Sequence, residues 1–164
     1  MRRDKAIKYY KLAKYQADLF SKDPNTKVGA IFLAPESLQI LSMGFNGFAR
    51  GIDETKCSRW ERPQKYDYIV HAEQNGICNA CRHGTPLEHS IAVITLFPCK
   101  ECAKALIQVG VDTIVTKRPD FDSVRWGRDF TLSTEMFAEI GIELIMLDDS
   151  DTDTLTSNQC SASQ

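Results

Sequence analysis

Two short motifs carry the residue types needed to hold a metal and move protons. In Pro98-Cys99-Lys100-Glu101-Cys102, two sulfurs three positions apart reach a common point where a strand gives way to a helix. Taken alone, a CxxC fits a redox pair, half of a structural zinc knuckle, or part of a metal centre. The helix N-terminus favours thiolate in all three. The second motif, His71-Ala72-Glu73, lies at another loop-to-helix junction. One His and two Cys make three protein ligands, the number typical of a catalytic zinc that leaves a fourth position to water. Residues two apart on a helix project to nearly opposite sides, so Glu73 need not be a fourth ligand and is free to face that water.

His71, Cys99 and Cys102 are therefore the expected ligands of one zinc, and Glu73 the expected proton carrier. Zinc lowers the pKa of a bound water from about 15.7 to about 7. A single carboxylate can take the water's proton and later return it to a leaving group. A noncatalytic zinc staple between two helices would need a fourth protein ligand and gives Glu73 no role.

The elements that position these residues follow from periodicity. Residues 4–21 place Ile7, Tyr10, Leu12, Ala13, Ala17 and Phe20 at near-helical spacing, and Asp23-Pro24-Asn25 ends that helix. Val28 to Leu33 and Leu38 to Met43 read as a β-hairpin around Ala34-Pro35-Glu36-Ser37. Residues 44–69 read as one long loop, of a length that is often functional. Helices are expected from Ala72 to His83, Lys100 to Val109 and Phe130 to Ile140. Strands are expected at Ile91–Leu96, Thr113–Thr116 and Ile142–Leu147. Two strands followed by alternating helix and strand mean an α/β chain with a mixed sheet covered by helices. The 164 residues suit one domain, 1–147, followed by a polar tail, 148–164, expected to be disordered.

Composition narrows the partners. A net charge of −2 and the lack of an aromatic and basic stripe argue against a nucleic-acid ligand. No apolar run approaches the roughly 20 residues of a membrane span. The basic N-terminus has no apolar signal core behind it, so a cytoplasmic location is expected. Six cysteines in such a chain read as reduced thiols or metal ligands. Its basic start and the Asp148, Asp149, Asp151 and Asp153 cluster read as solvated ends.

Five segments, in order, carry a family resemblance: Asp23-Pro24-Asn25-Thr26-Lys27-Val28-Gly29-Ala30, Gly44-Phe45-Asn46-Gly47, Lys65-Tyr66-Asp67-Tyr68, His71-Ala72-Glu73-Gln74-Asn75 and Leu96-Phe97-Pro98-Cys99. From Asp23 to about Leu147 the chain resembles the deoxycytidylate (dCMP) deaminase family. H-x-E followed by P-C-x-x-C is the signature of zinc nucleobase deaminases. The resemblance implies a cytidine-deaminase-like three-layer α/β fold, with a five-stranded mixed sheet flanked by helices and zinc between two helix N-termini. It also implies hydrolytic deamination of dCMP to dUMP with release of ammonia, which feeds thymidylate synthesis, and a homohexamer. Asn46, with Ala72, would contact the substrate. Arg82 would belong to a site for the effectors dCTP and dTTP, with Mg2+ accompanying them. Ala49 and Gly76 depart from the family's usual Pro and Ala. A modified cytosine nucleotide or free (deoxy)cytidine would use the same zinc chemistry. A substrate phosphate needs a cation, and Arg50, Arg59, Arg62, Lys65, Arg118 and Arg125 lie in the loops near the expected mouth, unranked. Cys57, Cys78, Cys81 and His83 offer a second, structural zinc site; the plainer reading of Cys78 and Cys81 is small buried thiols.

Overall fold

An amphipathic helix, α1 (Arg3–Phe20), precedes an antiparallel hairpin of β1 (Gly29–Leu33) and β2 (Ile40–Phe45). The two-residue strand β3 (Gly47–Phe48), the short helix α2 (Lys65–Tyr68) and β4 (Ile69–Val70) lead to α3 (Ala72–Arg82). Then come β5 (Ile91–Ile94), α4 (Lys100–Gln108), β6 (Thr113–Lys117), α5 (Gly127–Ile140), β7 (Glu143–Leu147) and the turn α6 (Asp149–Thr152). This is a computed structural model, and it describes residues 1–152.

The main sheet has the order β2-β1-β5-β6-β7, with β1 antiparallel to both neighbours and β5, β6 and β7 parallel. β1 is buried along its whole length, as its unbroken run Gly-Ala-Ile-Phe-Leu requires of a strand covered on both faces. Alternation along the strands divides the core in two. Ile31, Leu33, Val93, Val115 and Leu147 meet Ala6, Tyr10 and Ala13 of α1. On the other face, Ala30, Phe32, Ala92, Ile94 and Ile114 meet α3, α4 and α5 through Ala72, Ala80, Ala103, Leu106, Phe130 and Phe137. This is the expected three-layer, five-stranded mixed sheet.

The loop expected over 44–69 is more structured. β3 pairs antiparallel with β4, and the four-residue α2 lies between them. Two-residue strands carry no readable alternation. α5 starts at Gly127, three residues before the expected start, and no side chain caps it at Trp126. The chain ends also differ from two solvated termini. Arg3 donates to the Met146 carbonyl (3.2 Å) and to Asp148 (3.3 Å), and pairs with Asp151 in α6. The tail expected from Asp148 thus begins with a helical turn held against α1. Its remainder, with Cys160, lies outside the described residues.

Gly76 lies where α3 packs tightly on the sheet. A Cβ there would lie 2.5 Å from Cε2 of Phe32, whose ring is fully buried. Opposite it, a Cβ on Gly44 would lie 2.2 Å from the Ala72 carbonyl. The glycine at position 76 thus makes room for an aromatic ring in β1. Gly76→Ala should destabilise the protein in urea unfolding, because overpacking costs about 1–3 kcal/mol and outweighs the ~1 kcal/mol gain in helix propensity. In a Phe32→Leu background the same change should stabilise. Stabilisation in the parent chain would show that the ring yields.

Candidate active site

The two motifs meet because two helices begin at one place. His71 is the N-cap of α3 and Cys99 the N-cap of α4, both with extended backbone (φ −69°, ψ 155° and φ −70°, ψ 165°). Neither side chain caps its own helix, which leaves both free to turn toward a shared point. Cys102 lies in the first turn of α4. His71 Nδ1 is 3.5 Å from Cys99 Sγ and 3.4 Å from Cys102 Sγ, and all three donor atoms fall within 4.8 Å of one another.

These distances fit zinc. Zn–S bonds of about 2.3 Å and Zn–N bonds of about 2.0–2.1 Å, set at the tetrahedral angle, separate nitrogen from sulfur by about 3.5 Å. The charges fit as well. The Cys99 thiol is held down to about 4 by hydrogen bonds from Cys102 and His71. Cys102 is pushed far up, because its own proton bonds Cys99 and because it is buried near Glu73. His71 is raised by its bond to Cys99. The three donors thus share protons among themselves, and a divalent cation would replace those protons and let both thiols ionise.

Glu73, in the first turn of α3, is buried and sits in the same cavity as His71, Cys99 and Ala72. Burial raises its carboxyl to about 6, against the opposing pull of its own backbone N–H and of His71. A carboxyl poised there exchanges a proton readily near neutral pH. Val28, Ile69, Leu96, Phe97 and Phe130 supply apolar lining, with Arg62, Tyr66, Arg125 and Trp126 also lining the cavity.

Asn46 lines this cavity, but its amide is engaged elsewhere. Nδ2 donates to Asp23 Oδ2 (3.1 Å) and the Thr26 carbonyl (2.8 Å). Oδ1 accepts the Val28 N–H (2.8 Å) and the Ser21 hydroxyl (2.8 Å). Of the six candidate cations, only Arg62, Lys65 and Arg125 line the cavity. Arg118 bonds Asp148 (3.0 Å). Arg50 pairs with Asn79, and Arg59 lies over the Tyr68 ring (4.6 Å). Arg125 sits between the rings of Tyr66 and Trp126, 4.7 and 4.6 Å from their centroids, and donates to the Tyr66 hydroxyl. Motif spacing gave no sign of these aromatic flanks.

Arg82, at the exposed end of α3, lines a second groove with Arg50, Phe48, Cys78 and Cys81. Cys57, Cys78 and Cys81 are all exposed, so the expectation of buried thiols fails: the face of α3 that carries Cys78 and Cys81 turns away from the sheet. Among the described residues, His71, Cys99 and Cys102 are the one set of three metal-ligating groups brought together, and the second zinc site is not assembled.

Residues 3–118 match the family model described as the cytidine and deoxycytidylate deaminase zinc-binding region. A deaminase of the luxG 3′ region of Aliivibrio fischeri is 36% identical over 129 residues, covering 78% of this chain and 84% of that relative. The Homo sapiens deoxycytidylate deaminase is 37% identical over 101 residues, covering 58% of this chain and 54% of its own length. The chain therefore spans about half the length of the curated deoxycytidylate deaminases it matches. The dCMP deaminase of cyanophage S-TIM5 shares the fold at a TM-score of 0.70 and 24% identity, covering 90% of this chain and 100% of the phage chain. With the match spanning most of its length and the three donors within bonding range of one ion, the chain belongs to the cytidine and deoxycytidylate deaminase zinc-binding family.

Proposed function

We propose that this chain hydrolyses dCMP to dUMP and ammonia. The observation that carries the reading is a buried carboxyl, Glu73, beside a three-ligand zinc set in a cavity that also holds two arginines without carboxylate partners among the described residues. His71, Cys99 and Cys102 would hold the zinc, which would supply a water acidic enough to ionise near neutral pH. Glu73 takes the proton of the attacking water, passes it to the cytosine ring nitrogen, and then delivers a proton to the departing amine. The apolar lining from Ile69, Phe97 and Phe130 suits a flat pyrimidine and keeps bulk water from the reacting carbon. Arg62 and Arg125 then face the phosphate, Arg125 with its guanidinium plane braced by Tyr66 and Trp126. Ala72, fully buried in the wall between His71 and Glu73, would border the base.

The same reading includes a single deaminase domain over 1–147, a homohexamer, a cytoplasmic location, and regulation by dCTP and dTTP with Mg2+. What supports the regulatory part is the groove behind α3, where Arg82 and Arg50 stand near the Phe48 ring, apart from the catalytic cavity.

Two measurements test the reading. Glu73→Gln should keep zinc and melting temperature but lower kcat toward or beyond the upper end of the 10²–10⁴ range typical of a positioned proton carrier. A loss below about tenfold in zinc-loaded protein would remove Glu73 from the proton path. Catalytic efficiency on dCMP should exceed that on deoxycytidine at least about a hundredfold at fixed ionic strength, since two charge-assisted contacts contribute roughly 3–6 kcal/mol. Arg125→Ala should erase most of that preference, and equal efficiencies in the parent enzyme would reject the nucleotide substrate.

A further inference from the structure

A lysine buried in a cavity wall needs a reason to be there. Lys65 begins α2, its side chain is 4% exposed, and its ammonium pairs with the equally buried carboxylate of Asp23 (2.5 Å). That carboxylate is saturated. Oδ1 accepts the N–H groups of Asn25 (2.9 Å) and Thr26 (3.2 Å), while Oδ2 accepts Lys65 and Asn46 Nδ2. Asn46 is saturated in turn by Asp23, the Thr26 carbonyl, Val28 and Ser21. Lys65 is the exception. An ammonium carries three donors, and among the described residues Asp23 takes one of them. Burying a cation with open donors is costly unless an acceptor arrives.

We propose that Lys65 is a substrate-binding residue that donates to a hydroxyl oxygen of the substrate's sugar, with Asp23 as its fixed counterion. The inference rests on the nucleotide reading above. Charge balance selects the hydroxyl over the phosphate. Lys65 and Asp23 together are neutral, so the pair offers a directed donor without net attraction for a dianion. Arg62 and Arg125, with no carboxylate partner among the described residues, carry the uncompensated charge in the same cavity. Beside the sugar contact that the resemblance implies for it, Asn46 ties the ends of β1 and β2 to the Asp23 turn. Asn46 then acts as a positioning residue for Asp23, and through it for Lys65.

The test compares dCMP with its 3′-deoxy analogue, 2′,3′-dideoxycytidine 5′-phosphate, on the parent enzyme, Lys65→Met and Lys65→Gln. Removing Lys65 alone strands the Asp23 charge, so Lys65→Met is susceptible to misfolding. Lys65→Gln retains a donor for Asp23 and keeps the comparison available. In the parent enzyme, KM for dCMP should lie about tenfold or more below KM for the analogue, as expected for one charge-assisted bond. In Lys65→Gln, KM for dCMP should rise by a similar factor while KM for the analogue shifts by less than about threefold, with kcat nearly unchanged for both. An equal loss on both substrates would make Lys65 a structural residue and overturn the proposal, as would a variant indistinguishable from the parent. If the parent enzyme releases no ammonia from dCMP, the nucleotide reading falls and takes this inference with it; the other two failures leave that reading standing.

Discussion

Two thiols and an imidazole lie within 4.8 Å of one another, and burial and their mutual hydrogen bonds keep the two thiols from ionising together. Hydrogen bonds from Cys102 and His71 favour the Cys99 thiolate, and the bond to Cys99 together with burial favours the protonated Cys102. A divalent ion removes that competition, since each donor then bonds the metal instead of its neighbour. The rest of the fold serves this convergence. β5 delivers the chain to Cys99, and β4 delivers it to His71. α3 and α4 lie on the same face of the sheet with their positive ends pointing at the cluster.

Around that centre, the cavity divides its work by polarity. Part of the lining is apolar, and beside it stands Glu73, whose burial raises its carboxyl to about 6 and so prepares it to trade protons. The same lining includes a neutral ion pair, Asp23–Lys65, and two guanidiniums, Arg62 and Arg125. A ligand with a flat base, a hydroxylated sugar and an anionic end matches this set of surfaces. The Asp23 turn connects site to fold: it stops α1's chain, receives Thr26 and Asn25, and anchors Asn46 at the end of β2.

What could be read from the residue string was whatever repeats locally. The three metal ligands and Glu73 were legible because their spacing places them at the N-caps and in the first turns of helices. The sheet was legible because apolar runs such as Ala30 to Leu33 are bounded by turn residues. Contacts between distant segments were not. Lys65 lies in a polar stretch that looks exposed, and only its pairing with Asp23 explains why it is buried. Arg118 looked available for a phosphate until Asp148 claimed it. Cys78 and Cys81 sit on α3 at a spacing that shares a face, but nothing in the string says which face meets Phe32. That choice is set by Gly76, a residue whose role is visible only against the ring it admits.

The central claim is that the cluster of His71, Cys99 and Cys102 is a zinc centre on which site and fold converge. Elemental analysis of the purified protein and of Cys102→Ser tests it most directly. The parent chain should carry about one zinc after dialysis against metal-free buffer, and the variant should lose most of it, because two protein ligands with a weak hydroxyl do not make a closed set. Full zinc retention in Cys102→Ser, or a parent chain that binds none when supplied with zinc, would contradict the account.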